Sequence, residues 1–184
     1  MEVTRHRYAV AGWGVGEILL RDGVLLAHAL PSRRRKLSPA AGAPRGGEST
    51  PEDTLAAAAS QKGDGFVPGL CRRFAAHLDG RAVDYDDVRV DDAALSEFHR
   101  ELLAAVRTVR WGDVVTYGGL AALAGRPRAA RAAGSFCAGN RLSLVVPCHR
   151  VVAAGQGEPY AIGAYGPSGI GLKRRLLALE GTLL

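Results

Sequence analysis

Cysteine is scarce in this chain, and the three present, Cys71, Cys137 and Cys148, form neither a CxxC nor a CxxH cluster. An odd number without close pairing argues against a disulfide framework and for a reducing compartment. The spacing also excludes the usual structural zinc motifs, so no metal is expected. No run of 18 uncharged apolar residues occurs, and the N-terminus lacks the apolar core of a signal peptide. These absences predict a soluble intracellular protein that does not engage a membrane.

Acidic residues are also in deficit, 18 against 24 Lys and Arg, which leaves a net charge of +6. A basic balance attracts polyanions, nucleic acid among them, and so permits DNA binding without showing it. Part of the charge is gathered in Arg33-Arg34-Arg35-Lys36, which reads equally well as a solvated loop. Apolar residues make up 47% of the 184 positions, enough to bury a core in one domain or in two small ones.

The first 30 residues read as a β-meander, with strands over 8–11, 16–20 and 24–30 and a hairpin turn at Asp22-Gly23. Pro31 to about Thr50 carries Arg, Pro, Gly and Ser without apolar periodicity, a long exposed and mobile connection. Pro51-Glu52-Asp53 opens a short helix, a second is expected from Gly69 to Leu78, and an extended stretch over 82–90. The second half is helical. Asp92 can cap a helix through Val106 with a stripe of Leu95, Phe98, Leu102, Leu103 and Val106. A short helix over 118–123, a tight turn at Gly125-Arg126-Pro127 and a helix from Pro127 to about Ala138 form a helix-turn-helix pattern. In the second of these, Ala129, Ala130, Ala132 and Ala133 surround Arg131, leaving one long cation on a smooth surface. Such a face suits a shallow minor groove better than base-edge reading, and it equally suits close packing against another helix.

The most informative residues are Pro147-Cys148-His149-Arg150-Val151, reached from the apolar run Leu144-Val145-Val146, which reads as a buried strand. Proline ends that strand, so Cys148 is expected on a turn. Neighbouring His or Arg charge lowers a thiol pKa and makes it nucleophilic, although a small buried hydrophobe is the plainer reading. In the last helix, expected over 168–180, Leu172, Leu176 and Glu180 share a face, which turns a carboxylate toward the core at a helix C-terminus. A buried carboxylate needs a partner, and His149 is a reasonable one; a solvated Glu at a frayed end is the other reading.

Together these pieces resemble the O6-alkylguanine-DNA alkyltransferases, or methylated-DNA–protein-cysteine methyltransferases. The resemblance rests on Thr116-Tyr117-Gly118-Gly119-Leu120-Ala121, on Pro127 to Gly134, on Asn140, on Val146 to Val152, and on Lys173 with Leu176 to Gly181. It covers most of 98–181, nearly half the chain. It implies an α/β (α+β) protein: a ribonuclease-H-like domain over 1–90, then a mostly helical, winged-helix-like DNA-binding domain over 91–184.

By resemblance, Cys148 takes the alkyl carbon from O6 of a flipped guanine, and O4-alkylthymine is a second substrate. His149 polarises the thiol through a water, and Glu180 holds the imidazole. Tyr117 donates a proton to the departing base, and Asn140 is the hinge between DNA-binding helix and active-site loop. Arg131 fills the space the base vacates, with Ala129 and Ala130 against the minor groove and Gly118, Arg126, Arg128 and Ser135 also on the DNA side. Pro147, Val151, Tyr165 and Gly166 wall the base pocket. The resemblance further implies one turnover per chain, no cofactor, a monomer, duplex DNA carrying O6-alkylguanine as partner, and a cytoplasmic location, nucleoid-associated or nuclear.

The chain departs from the family pattern at Arg141, where many members carry proline, and in a longer connection from Arg150 to Tyr165, which puts pocket width in question. Cys71 and Cys137 are read as packing residues. Three competing readings are a non-catalytic lesion-binding relative, which would lack the cysteine; a Cys-His-Glu hydrolase, which would turn over; and a transcription regulator, whose recognition helix would be less alanine-rich.

Overall fold

A computed structural model describes residues 2–32, 65–155, 160–165 and 169–182. The Arg33–Lys36 run, the long connection beyond Ser32, the helix expected at Pro51, and Gly166 with Pro167 and Ser168 lie outside the described residues. The chain divides into two compact units, residues 1–79 with 87–91, and residues 80–86 with 92–184.

In the first unit β1 (Val3–Val10), β2 (Gly14–Arg21) and β3 (Val24–Ser32) form an antiparallel sheet in the order β1-β2-β3. The expected hairpin is there: Asp22 and Gly23 hold φ of 50° and 76°, the positive pair that a tight two-residue turn requires. α1 (Phe66–Leu78) turns Leu70, Cys71, Phe74 and Leu78 inward. It begins before Gly69 because Pro68, in the first turn, has no N–H that the helix would need. Tyr8 lies opposite Gly16, where an added Cβ would come within 2.5 Å of the Tyr8 ring, so only glycine admits the phenol there. That phenol meets His28 Nε2 at 2.5 Å, and the imidazole stacks on Phe74 with centroids 3.9 Å apart. The expected extended stretch over 82–90 joins the sheet only at Val90, bridged to Leu25.

In the second unit α2 (Glu97–Arg107) is capped by Ser96, whose Oγ accepts from His99 N at 3.3 Å, not by Asp92. Ser96 places its hydroxyl over the first turn with Glu97 beside it, the preferred cap chemistry. β4 (Val115–Thr116) leads directly into α3 (Tyr117–Leu123), with Thr116 Oγ1 accepting from Gly119 N at 2.9 Å. α4 (Ala130–Gly139) follows the Gly125 turn and packs on α3, and both contact α2. It starts at Ala130, three residues after the expected Pro127, because Ala129 is the non-helical cap. A 3-10 turn (Cys148–Arg150) precedes β5 (Val151–Ala154), which pairs parallel with β4 and antiparallel with β6 (Tyr160–Ala161). α5 (Gly169–Leu179) closes the unit.

The run Leu144–Val146 is not a strand. Leu144 has φ 68°, Val145 N bonds to Ser143 O at 2.9 Å and Val146 N to Leu142 O at 2.8 Å, a chain of turns. All three side chains are at most 2% exposed. A short apolar run signals burial, and burial in a loop satisfies it as well as burial in a sheet. Among the described residues no helix is long and apolar enough to cross a membrane.

Candidate active site

The 3-10 turn puts Cys148 and His149 on a tight bend, not on the extended chain that would face them opposite ways. Pro147 O accepts from Arg150 N at 2.9 Å, which closes the bend, and Cys148, His149 and Arg150 are all buried. Asn140, just past α4, fixes the preceding loop. Its Oδ1 accepts from Leu142 N at 2.9 Å and its Nδ2 donates to Val146 O at 2.8 Å. One side chain thus ties the C-terminus of α4 to the loop that carries Cys148 and supplies the hydrogen bonds that a strand would otherwise provide.

Behind the turn stands a buried ionic cluster. Arg150 grips Glu180 with two parallel bonds, Nε to Oε2 at 2.8 Å and Nη2 to Oε1 at 2.9 Å, and its Nη1 donates to Val109 O at 2.7 Å. His149 Nε2 meets Glu180 Oε1 at 2.9 Å. A carboxylate can only accept there, so Nε2 carries the proton and Nδ1 is the basic nitrogen. The inward carboxylate anticipated at the end of α5 is therefore buried, at 4% exposure, and partnered.

Neighbouring charge does not activate the resting thiol, contrary to the sequence expectation. Arg150 is committed to Glu180 and Val109, and His149 to Glu180. The Cys137 thiol, hydrogen-bonded to Cys148, and burial push the Cys148 thiol well above its usual range, while the Asn140 amide and Lys173 pull it back. Cys148 is thus a neutral thiol at rest. Cys137, read from the sequence as a packing residue, is half-buried in the last turn of α4. Cys71 is fully buried, as a packing residue should be.

The segment expected to wall the base pocket is pinned by Lys173, whose Nζ donates to Val151 O at 2.5 Å and Ala164 O at 3.2 Å. Tyr117 Oη donates to the same Ala164 carbonyl at 3.0 Å, and Lys173 Nζ lies 5.7 Å from the Tyr117 ring centroid. Gly163, at φ 68°, lets this segment pass the ring; an added Cβ would meet Tyr117 Cε2 at 3.2 Å. Burial pushes the Tyr117 phenol up to about 12, so it stays a proton donor at neutral pH. Tyr165 is buried and its phenol is raised by the same cause. Val151 and Pro147 are buried beside the turn. Gly166 lies outside the described residues.

Burial pulls the Lys173 ammonium down from 10.5 to about 8. The unfolded chain then holds more protons than the folded one between those values, so stability owed to this group rises with pH across that window. In paired denaturation curves, wild type should gain stability relative to Lys173→Met between pH 8 and 10.5. A constant difference would contradict the assignment.

Of the residues expected on the DNA side, Arg128, Arg131 and Ser135 are exposed, and Gly118, Ala129 and Ala130 are half-buried on or beside α3 and α4. Arg126 is drawn toward α2: its guanidinium lies 4.6 Å from the Phe98 ring centroid and 3.5 Å from Glu101 Oε2. A cavity of about 270 Å³ touches the other flank of the 144–150 loop, lined by Asp84, Tyr85, Arg107, Arg110 and Trp111 with Pro147 and Arg150. Cys148, Tyr117 and Lys173 do not line it, so it is not the space in front of the thiol.

The family model described as 6-O-methylguanine DNA methyltransferase, DNA binding domain, matches residues 97–182. The methylated-DNA–protein-cysteine methyltransferase of Metallosphaera sedula is 36% identical over 116 residues, 63% of this chain and 69% of that one. Its counterpart in Methanopyrus kandleri is 39% identical over 134 residues, 72% of this chain and 95% of that one. The fold is similar to that of Mycobacterium tuberculosis OGT solved in complex with DNA, with a TM-score of 0.69 and 26% identity over 96% of this chain and 92% of that one. Identity of 39% across 95% of the Methanopyrus relative, with a buried Cys-His-Arg turn closed by Glu180, means that the chain belongs to the methylated-DNA–protein-cysteine methyltransferase family.

Proposed function

We propose that this chain repairs duplex DNA by moving the alkyl group from O6 of guanine onto Cys148 Sγ, once per chain. The observation that carries this reading is the buried Cys148 on its 3-10 turn, backed by the His149–Glu180–Arg150 cluster. α4 lies along the minor groove with Ala129 and Ala130 against the backbone. Arg131, exposed in its first turn, enters the stack as the damaged nucleotide swings out, which costs a few kcal/mol and less for a poorly paired base.

Because the resting thiol is neutral, its proton leaves as attack begins. It passes through a water to His149 Nδ1, and Glu180 stabilises the imidazolium. Sulfur forms its bond to the alkyl carbon as the carbon–O6 bond breaks. The guanine leaves as an anion and takes the proton of Tyr117, whose hydroxyl exchanges its Ala164 partner for the base. The thioether is stable, so the chain is spent. O4-alkylthymine presents the same alkyl–oxygen bond and is accepted by the same route. Chemistry needs no cofactor, and one monomer suffices.

The test is incubation with duplex DNA carrying O6-methylguanine, followed by intact mass and peptide mapping. One added methylene unit on the Cys148 peptide, ceasing at one equivalent, is expected; repeated turnover would identify a hydrolase instead. Arg131→Ala should slow transfer from duplex at least tenfold, corresponding to about 1.4 kcal/mol or more of extrusion energy. Its reaction with free O6-methylguanine base should stay near wild type. Equal losses on both substrates would remove Arg131 from base extrusion.

A further inference from the structure

The sequence sets Arg126 among the residues that meet DNA, but its side chain turns back onto α2. Its main chain forms the bend of the helix-turn-helix. Arg126 N donates to Ala121 O at 2.8 Å and Gly125 N to Ala122 O at 2.9 Å, which closes α3 in a Schellman turn through Gly125 at φ 75°. Arg126 O then accepts from Ala129 N at 2.9 Å, and Ala129 is the residue that starts α4. The side chain crosses to α2, where Phe98 and Glu101, three positions apart, share a face. The guanidinium lies 4.6 Å from the Phe98 ring centroid, and Nε lies 3.5 Å from Glu101 Oε2. One residue therefore joins all three helices of the motif.

We propose that Arg126 is a positioning residue and not a phosphate ligand: it holds the start of α4 on α2 and so sets where Arg131 meets the base stack. That role rests on α4 and Arg131 acting on the duplex as in the proposed function. Two observations commit the side chain to α2. Glu101 Oε2 is shut off from water and has no hydrogen-bond partner among the described residues, so the Arg126 charge is what offsets it. Swinging the guanidinium out to a phosphate would leave a dry carboxylate oxygen uncompensated, which is costly. In addition, α4 begins without a side-chain cap, because Ala129 offers no oxygen to the orphan N–H groups of the first turn.

An uncapped helix start takes its direction from the residues just before it. Further along, α4 is held by Phe136, which is buried with its ring centroid 5.8 Å from that of His99 on α2. Arg126 is the matching hold at the other end, five residues ahead of Arg131. The Arg126 and Glu101 side chains are 52% and 40% exposed, so their ion pair adds little to global stability. Its effect falls on orientation, and a small displacement of a group that must enter the base stack is costly in rate.

Wild type, Arg126→Ala, Phe98→Leu and the double variant are compared on duplex carrying O6-methylguanine, with melting temperatures as the check on folding. Arg126→Ala should lower the rate of methyl uptake at saturating duplex by about five- to tenfold, with reaction of the free modified base near wild type. The dependence of log Kd on log salt should keep its wild-type slope, since no phosphate contact is lost. A slope smaller by about 1 is the signature of a phosphate ligand and overturns the proposal. Phe98→Leu removes the ring and changes no charge; it should cause part of the same loss, and the double variant should be no slower than Arg126→Ala. Losses that multiply overturn the proposal, as does a Phe98→Leu protein that binds duplex more tightly because its arginine is released. Base extrusion is read separately, by fluorescence of 2-aminopurine beside the lesion in the Cys148→Ser background, which has no sulfur to accept the alkyl group. Adding Arg126→Ala should lower the extruded fraction, and an unchanged fraction sinks the positioning role. A wild type that takes up no methyl group, in a background where Arg126→Ala still lowers extrusion, sinks the acceptor assignment and not the role of Arg126.

Discussion

Cys148→Ser is expected to take up no methyl group from duplex DNA carrying O6-methylguanine, at any time or protein excess, in an assay that converts wild type completely. The replacement differs by one atom in a site that is 1% exposed, so the fold should accept it. What vanishes is nucleophilicity. A thiol is a competent nucleophile when a base removes its proton at the moment of attack, whereas a hydroxyl is far weaker and needs much stronger activation. Burial keeps the resting thiol neutral, so in the proposed route the His149–Glu180 pair assists ionisation and does not merely stabilise a thiolate already formed. DNA affinity, measured by fluorescence anisotropy on the same duplex, should stay within about twofold of wild type, since the proposal sets α4 and not the sulfur against the duplex. Methyl found on Cys137 in the variant would reassign the acceptor to the second thiol. Uptake unchanged from wild type would remove the alkyl-acceptor reading altogether.

The chemistry was legible in the sequence to different depths at different residues. Asp22-Gly23 announced its hairpin because only residues tolerant of positive φ make so tight a turn, and the turn is where they stand. Glu180 announced its burial through its spacing from Leu172 and Leu176, because helical periodicity fixes which side chains share a face. Leu144–Val146 misled because hydrophobicity reports burial and not backbone state. The hydrogen bonds that decide the backbone there come from Asn140, and only its amide geometry in three dimensions reveals that. Arg150 misled in another way. Two positions from Cys148 in sequence, it reads as an activating charge, but its guanidinium points into the Glu180 cluster and its influence is spent there. Lys173, 25 positions downstream, is the cation that acts on the sulfur. Electrostatics at a site follow distance through space, and sequence adjacency measures that only within regular structure.

Glu180→Ala should be the most destabilising single substitution in the second unit, by about 3–5 kcal/mol, the usual cost of removing one partner of a buried ion pair. Glu180 lies just beyond α5, where the helix dipole disfavours a carboxylate, so its position is tolerable only because Arg150 and His149 face it. Taking it away leaves a guanidinium that is 8% exposed, bonded to the Val109 carbonyl but without the glutamate's counter-charge. For a chain of this size that loss lowers the melting temperature by about 6–16 °C, readable by calorimetry. Glu180→Gln separates charge from shape. It can still accept from Arg150 and meet His149, so it should recover part of the stability, but it cannot stabilise an imidazolium. Its methyl-transfer rate should therefore fall with the alanine variant's, on protein shown to be folded. If the glutamine variant instead transfers methyl at the wild-type rate, Glu180 serves packing alone and the proton from Cys148 takes another path. If Arg150→Met on the Glu180→Ala background restores stability without restoring transfer, the guanidinium's unmet charge is the source of the instability, and the carboxylate's catalytic contribution stands apart from it.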